Sequence, residues 1–246
     1  MEPTRPEIVY PRRQAIRSVM KNGIAAAFAV MMKLDVSGKE NLPKTGPLVI
    51  VANHFHFLDP VAMIRLLPYP AEYLGGPRTP NAPGWTENFR QFYRIVQIQR
   101  GASSRDGLLA AQSILRQKGV MCIFPEGGSW ASVLRPARPG AALLAARAGA
   151  PLIPVGIDGL TDVFPALAKG RRAHVHIRFG KPFGPFDLSS KERSYRQQLD
   201  DFGHEIMQKI AELLPPERRG YYSSDPAIRE AARGTEIYPW ADTVEE

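Results

Sequence analysis

Residues 48–59 read LVIVANHFHFLD, and the fold follows from how this stretch is built. Leu48–Ala52 is a continuous apolar run of strand length with no polar alternation. That pattern belongs to a strand covered on both faces, as in parallel sheets with helices on either side. Asp59 and Pro60 then open the helical pattern DPVAMIRLL, with Asp59 read as its N-cap and Pro60 as its first residue. Pro68 and Pro70 end it. The same alternation continues along the chain. Leu74–Gly84 is Gly- and Pro-rich and reads as loop. Ile95–Gln99 reads as a strand, and Ser104–Lys118 as a helix stopped by Gly119. Val120–Phe124 (VMCIF) is a second buried-strand run, followed by helical Ala141–Ala148. Leu152–Ile157 is a strand in which Pro154 implies an edge or a bulge. His174–Phe179 alternates as a strand, and Lys191–Leu214 carries the longest helical pattern. Strands alternating with helices predict a single-domain α/β fold, with a mixed, largely parallel sheet flanked by helices.

The whole-chain composition sets limits on this reading. A chain of 246 residues, 44% apolar and 23% charged, is ordinary globular material, which excludes wholesale disorder. Three segments are expected: a basic amphipathic helix over 1–34, the α/β domain over 35–214, and an extended polar tail over 215–246. In the first, Arg13, Arg17 and Lys21 share one helical face beside a stripe of Ile16, Met20, Ile24 and Phe28. Gly23–Met32 is far shorter than the ~20 apolar residues a bilayer span requires. It resembles a signal-peptide core but lacks a clear cleavage site. The helix therefore either lies peripherally on an anionic membrane, at its cytoplasmic face, or packs on the domain. The net charge of +8 favours polyanionic partners. The basic residues are scattered and no nucleic-acid motif with stacking aromatics is present, so nucleic acid is not expected. A single cysteine, Cys122, excludes an internal disulfide and fits a reducing compartment.

The unusual residues sit where the two apolar runs end. Groups at the carboxyl ends of strands in α/β sheets face the ligand crevice, and His54 stands there. A turn between His54 and Asp59 would bring the carboxylate onto the imidazole, fix its tautomer and leave the other ring nitrogen as a base. At the second site, Pro125-Glu126-Gly127-Gly128 places a carboxylate and two flexible peptides at the same edge, where backbone N–H groups could meet an oxyanion or phosphate.

Taken together, these segments resemble the glycerophospholipid acyltransferase family, the 1-acylglycerol-3-phosphate acyltransferases and their relatives. Its Asn-His-x-x-x-x-Asp signature is matched by Asn53, His54 and Asp59, and its Phe-Pro-Glu-Gly signature by Phe124, Pro125, Glu126 and Gly127. IVQIQRG (Ile95–Gly101) is similar to the strand carrying a family arginine, with Arg100 in that place, and LIPVGI is similar to its Pro-containing strand. The resemblance implies acyl transfer from acyl-CoA or acyl-carrier protein to a hydroxyl of a lysophospholipid or related lipid, within phospholipid biosynthesis. His54 would be the base, Asp59 would orient it, and Glu126, Gly127 and Gly128 with Arg100 would bind substrate. No metal or bound cofactor is expected. Thioester hydrolysis is the alternative outcome. The chain departs from the family where Gly128-Ser129-Trp130 replaces the usual Thr-Arg-Ser. Trp130 would suit a larger phosphodiester or glycolipid acceptor; lysophosphatidate would need Arg135 or Arg138 to substitute for the lost arginine. Phe55 and His56 fill the Gln and Ser places, His56 as a space-filling neighbour. Trp85, Phe89, Phe92 and Tyr93 would be core or channel aromatics.

Overall fold

The computed structural model describes residues 8–76, 82–97, 104–189 and 192–239. Seven strands form one sheet: β1 (Met32–Ser37), β2 (Leu48–Ala52), β3 (Glu72–Gly75), β4 (Val96–Gln97), β5 (Val120–Ile123), β6 (Leu152–Asp158) and β7 (Ala173–Phe179). Their order is β1-β7-β6-β2-β5-β3-β4. Neighbours pair in parallel except β6 with β7, so β1 and β7 run against the other five. The mixed, largely parallel α/β sheet expected from the sequence is the one observed.

The apolar run 48–52 lies at the centre of the sheet, and every residue of it is buried. Strand alternation divides it between two cores. Leu48, Ile50 and Ala52 join Val120 and Cys122 on one face, under α1 (Gln14–Met31) and α2 (Asp59–Leu66). Val49 and Val51 join Met121 and Ile123 on the other, under α4 (Ser104–Arg116), α5 (Gly140–Ala148) and α7 (Tyr195–Ala211). A strand with core on both sides has no place for polar residues, which is why the run is unbroken. Ser194 caps α7 through a reciprocal capping box with Gln197.

Several local expectations are corrected. Asp59 is the first residue of α2 rather than its N-cap, which is Leu58. Part of 74–84 extends strand β3, and Trp85–Tyr93 forms a further helix, α3. Residues 77–81 of that stretch, and Ile98–Gly101 of the strand expected over 95–99 and the motif after it, lie outside the described residues. Pro154 is interior, between β7 and β2, not at an edge. It is tolerated because the pairing slips by one residue between Leu152 opposite Phe183 and Val155 opposite Phe179, a bulge where no N–H is required.

The N-terminal helix packs inward through its basic face. Arg17 is buried and donates to both carboxylate oxygens of the fully buried Glu72 at 2.7 and 2.8 Å. Arg12 reaches the same carboxylate, Arg13 donates to Phe92 O, and Lys21 to Leu67 O. Ile24 and Phe28 join the core. The large apolar residues of α1 left outward are Ile16, Val19 and Val30. No helix among the described residues is long and apolar enough to cross a membrane.

Residues 215–239 are folded rather than extended. They form two 3-10 turns, Pro216–Arg218 and Gly220–Tyr222, and then α8 (Pro226–Ala232), after the intervening short helix α6 (Val163–Leu167). Leu134 N–H donates to Arg218 O, and Tyr221 N–H to Leu134 O. This segment therefore lies against the loop that follows β5.

Candidate active site

β2 and β5 are adjacent, parallel and in register, with Val51 opposite Ile123. Both chains leave the sheet at the same edge, so His54 and Glu126 meet although 72 residues separate them. The β2 exit is pinned on each side by a side chain that takes over from the backbone ladder. Asn53 is fully buried; its Nδ2 donates to Ile157 O at 2.8 Å and its Oδ1 accepts from Ile157 N–H at 2.7 Å, tying the exit to β6. On the other side His54 N–H donates to Glu126 Oε1 at 2.8 Å, tying it to the end of β5.

The turn 54–59 then closes on one carboxylate oxygen. Asp59 Oδ2 accepts from Phe55 N–H and His56 N–H, each at 2.7 Å, and lies 2.9 Å from His54 Nδ1. Asp59 is 1% exposed, so this oxygen meets its three partners away from water. An ionised acceptor favours the Nδ1–H tautomer and leaves Nε2 as the ring's basic nitrogen. The imidazole stacks on Phe124, with ring centroids 4.4 Å apart, and its side chain is 13% exposed, so one end opens outward. His56 lies against Phe57 and Phe164. Burial pulls its pKa down, against an upward pull from Asp59. Only His54 carries the carboxylate on its ring.

Glu126 is not open to a substrate. It is buried, and its Oε2 accepts from Arg135 N–H and Nε–H, both at 3.2 Å. Burial pushes its pKa up to about 7, although Arg135 and the backbone donors of His54 and Arg135 pull it down. Arg135, offered by the sequence as a stand-in for a phosphate-binding arginine, is 1% exposed and also donates to Gly128 O. It is committed to the interior. Trp130 is likewise occupied: the Arg135 guanidinium lies 3.7 Å over its ring, its indole N–H donates to Thr235 O at 2.7 Å, and Tyr238 meets it edge-on. Half-buried, the indole has one face covered by Arg135 and its N–H tied to the C-terminal segment, so that face is closed to a bulky acceptor head.

Gly127 N–H donates to Phe124 O in a tight turn, so this peptide turns inward rather than toward an oxyanion. Gly127 adopts φ +78°, a conformation that favours glycine, and a Cβ there would stand 2.7 Å from Cδ and Nε of the exposed Arg138 side chain, which would have to move aside. Arg138 is exposed and crosses this glycine beside the His54 edge. Arg100 lies outside the described residues. Phe89 and Tyr93 stack within the core, whereas Phe92 is exposed; Trp85 begins α3. Among the described residues no group of three His, Cys, Asp or Glu side chains could hold a metal. Sequence reasoning missed the Asn53 clamp, the Phe124 stack and the Arg135–Trp130 pair. Asn53 gave a signal, an amide ending an apolar strand; Arg135 gave none.

The acyltransferase family profile matches residues 33–158, just over half of the chain. A chloroplastic 1-acyl-sn-glycerol-3-phosphate acyltransferase of Brassica napus is 27% identical over 210 residues, covering 82% of this chain and 57% of the relative. A namesake from Chlamydomonas reinhardtii is 27% identical over 215 residues, covering 85% of this chain and 61% of its own length. This chain thus spans about three-fifths of those two relatives. The Bacillus subtilis (strain 168) 1-acyl-sn-glycerol-3-phosphate acyltransferase is 24% identical over 196 residues, covering 78% and 94%. The crystal structure of the 1-acyl-sn-glycerophosphate (LPA) acyltransferase PlsC from Thermotoga maritima superposes with a TM-score of 0.57 at 21% identity, over 81% of this chain and 80% of that one.

Proposed function

Since the chain belongs to the acyltransferase family, we propose that it transfers a fatty acyl group from a thioester donor, acyl-CoA or acyl-carrier protein, to a free hydroxyl of a lysophospholipid. The observation that carries this reading is the buried Asp59 carboxylate on His54 Nδ1, at an edge where the ring's far end is accessible. His54 Nε2 takes the acceptor hydroxyl proton as the oxygen attacks the thioester carbonyl. The C–O bond forms, the C–S bond breaks, and the proton passes from His54 to the departing thiolate. Asp59 stabilises the imidazolium between these transfers. General base catalysis of this kind contributes ~10²–10⁴ in rate.

The acceptor we favour is lysophosphatidate, as in the names of the curated relatives. Arg135 covers one face of Trp130, which argues against a bulkier acceptor head stacking there. Arg138, exposed and crossing Gly127, is the cation we assign to an acceptor phosphate; Arg100 is its proposed companion. Peripheral contact with an anionic membrane at its cytoplasmic face is part of the same proposal, through the outward Ile16, Val19 and Val30 of α1.

The test is a product mass spectrum from purified protein, acyl-CoA and a panel of lysolipids, with His54→Ala alongside. Acylated lysophosphatidate and a loss of at least about a hundredfold in the variant are expected. Thiol release that no lysolipid accelerates would assign the site to thioester hydrolysis instead.

A further inference from the structure

We propose that Arg135 is a positioning residue for the reaction: its guanidinium holds Glu126 in the place and charge state that fix the His54 peptide, and the chain after Pro215 keeps Arg135 there. The proposal rests on the reading of His54 as the base. It deepens that reading by extending the site beyond the recognisable motifs.

The chain of contacts runs inward to outward. The peptide of His54 is held by Glu126 Oε1, and the second oxygen of Glu126 by two donors of Arg135, one from the backbone and one from the side chain. An ionised carboxylate accepts all three bonds with its full charge; protonation removes that charge and adds a donor where every partner is itself a donor, which weakens the three bonds. Arg135 is in turn covered by Trp130, whose indole is anchored to Thr235 O and Tyr238. Leu134, next in the chain, is bonded on both sides to the 216–222 turns. Gly220 packs so closely there that a Cβ would stand 2.3 Å from Leu134 O. The C-terminal segment is therefore the outer wall of a buried hydrogen-bonded chain that ends on the His54 peptide.

Arg135 supplies the only full positive charge among the described groups that act on Glu126. The others facing it are Asp59, which pushes its pKa up, the His54 backbone, and the Tyr222 phenol, whose own pKa is raised by burial and by Glu126. Arg138 crosses the neighbouring Gly127 from outside. Removing the Arg135 charge should therefore raise the Glu126 pKa by about one to three units, the usual effect of an opposite charge on a carboxylate.

The experiment is the pH dependence of kcat for wild type, Arg135→Gln and Arg135→Lys, with direct carboxyl NMR titration of Glu126 in each protein. In the neutral variant the acid limb of kcat is expected to move upward by at least about one unit, with activity recovering on the alkaline side. The Lys variant keeps the charge but not the planar fork, so its acid limb should stay near that of wild type while kcat falls. The NMR titration needs no turnover, so it separates this proposal from the assignment of His54. A wild-type activity loss in His54→Ala that fails to appear would sink that assignment alone. If Arg135→Gln lowers kcat evenly at all pH values and leaves the Glu126 titration in place, Arg135 is only packing and the proposal is overturned. Should Arg135→Gln not fold, Trp130→Phe replaces it. Loss of the Thr235 bond with an unmoved acid limb and unchanged kcat would then count against a role for the C-terminal wall, and a lowered kcat with a displaced limb would support it.

Discussion

Replacing Asp59 by Asn separates what the carboxylate does for the fold from what its charge does for the reaction. Three donors converge on Oδ2, at 2.7, 2.7 and 2.9 Å, while Oδ1 is buried without a partner. An asparagine that puts its oxygen in the Oδ2 position keeps all three bonds in neutral form, and its amide then occupies the partnerless position. A buried polar group left unsatisfied costs about 1–3 kcal/mol, so the variant should fold with a loss of that size. The effect on rate comes from the missing charge beside the imidazolium. Two unit charges about 4 Å apart at an effective dielectric of about 20 interact by about 4 kcal/mol. The surviving neutral hydrogen bond offsets part of this, which leaves a fall in kcat of about 10²–10³ at 1.36 kcal/mol per decade. Free thiol release at saturating donor and acceptor, alongside a urea melt of the same preparation, measures both terms. A folded Asp59→Asn protein with kcat within fivefold of wild type would refute the assignment of Asp59 as the charge partner of His54.

Two further outcomes are expected. Arg17→Met leaves Glu72 fully buried with only Arg12 beside it; breaking a buried pair costs about 3–5 kcal/mol, and a thermal melt should show a drop of at least about 6 °C, whereas an unchanged Tm would mean that Arg12 alone satisfies the carboxylate. Val19→Asp with Val30→Asp places charge on the outward face of α1 and should weaken cosedimentation with anionic vesicles, leaving thiol release from a soluble short-chain donor unchanged; undiminished cosedimentation would remove α1 from the membrane-contact proposal.

The legible parts of the fold were those in which one residue type answers one physical demand. LVIVA and VMCI had to be central strands because both of their faces are core, and the structure covers both faces with helices. β3 was hidden because its four residues include Glu72, whose charge reads as surface. It is buried because two arginines from the N-terminal segment, over fifty residues earlier, converge on it. The Arg17–Glu72 ion pair decides between the two alternatives that the sequence left for the basic face of α1. Arg17 and Lys21 share a helical face with Arg13 at the N-cap, but periodicity cannot say whether that face meets lipid or a buried carboxylate and backbone carbonyls.

The candidate site divides along the same line. His54 and Asp59 lie in one local turn, so the spacing put a carboxylate within reach of the imidazole, the family resemblance gave the pair its roles, and the parallel register of β2 and β5 brought Glu126 to them. Arg135 and Trp130 belong to a different class, because their roles exist only once the segment after Pro215 has folded back over residues 128–135. That segment is polar, rich in proline and weakly periodic, and so it reads as tail. It is ordered by specific backbone bonds to Leu134 and Trp130 rather than by an apolar stripe. The loss of the family's usual arginine from the second motif accordingly takes on a different meaning. The sequence suggested a vacancy at the acceptor phosphate, to be filled by Arg135 or Arg138. The structure sends Arg135 inward to a carboxylate and leaves Arg138 exposed, its side chain across Gly127. The two arginines stand three residues apart in one loop, so which of them could meet a substrate is settled at a scale below that of any periodic pattern.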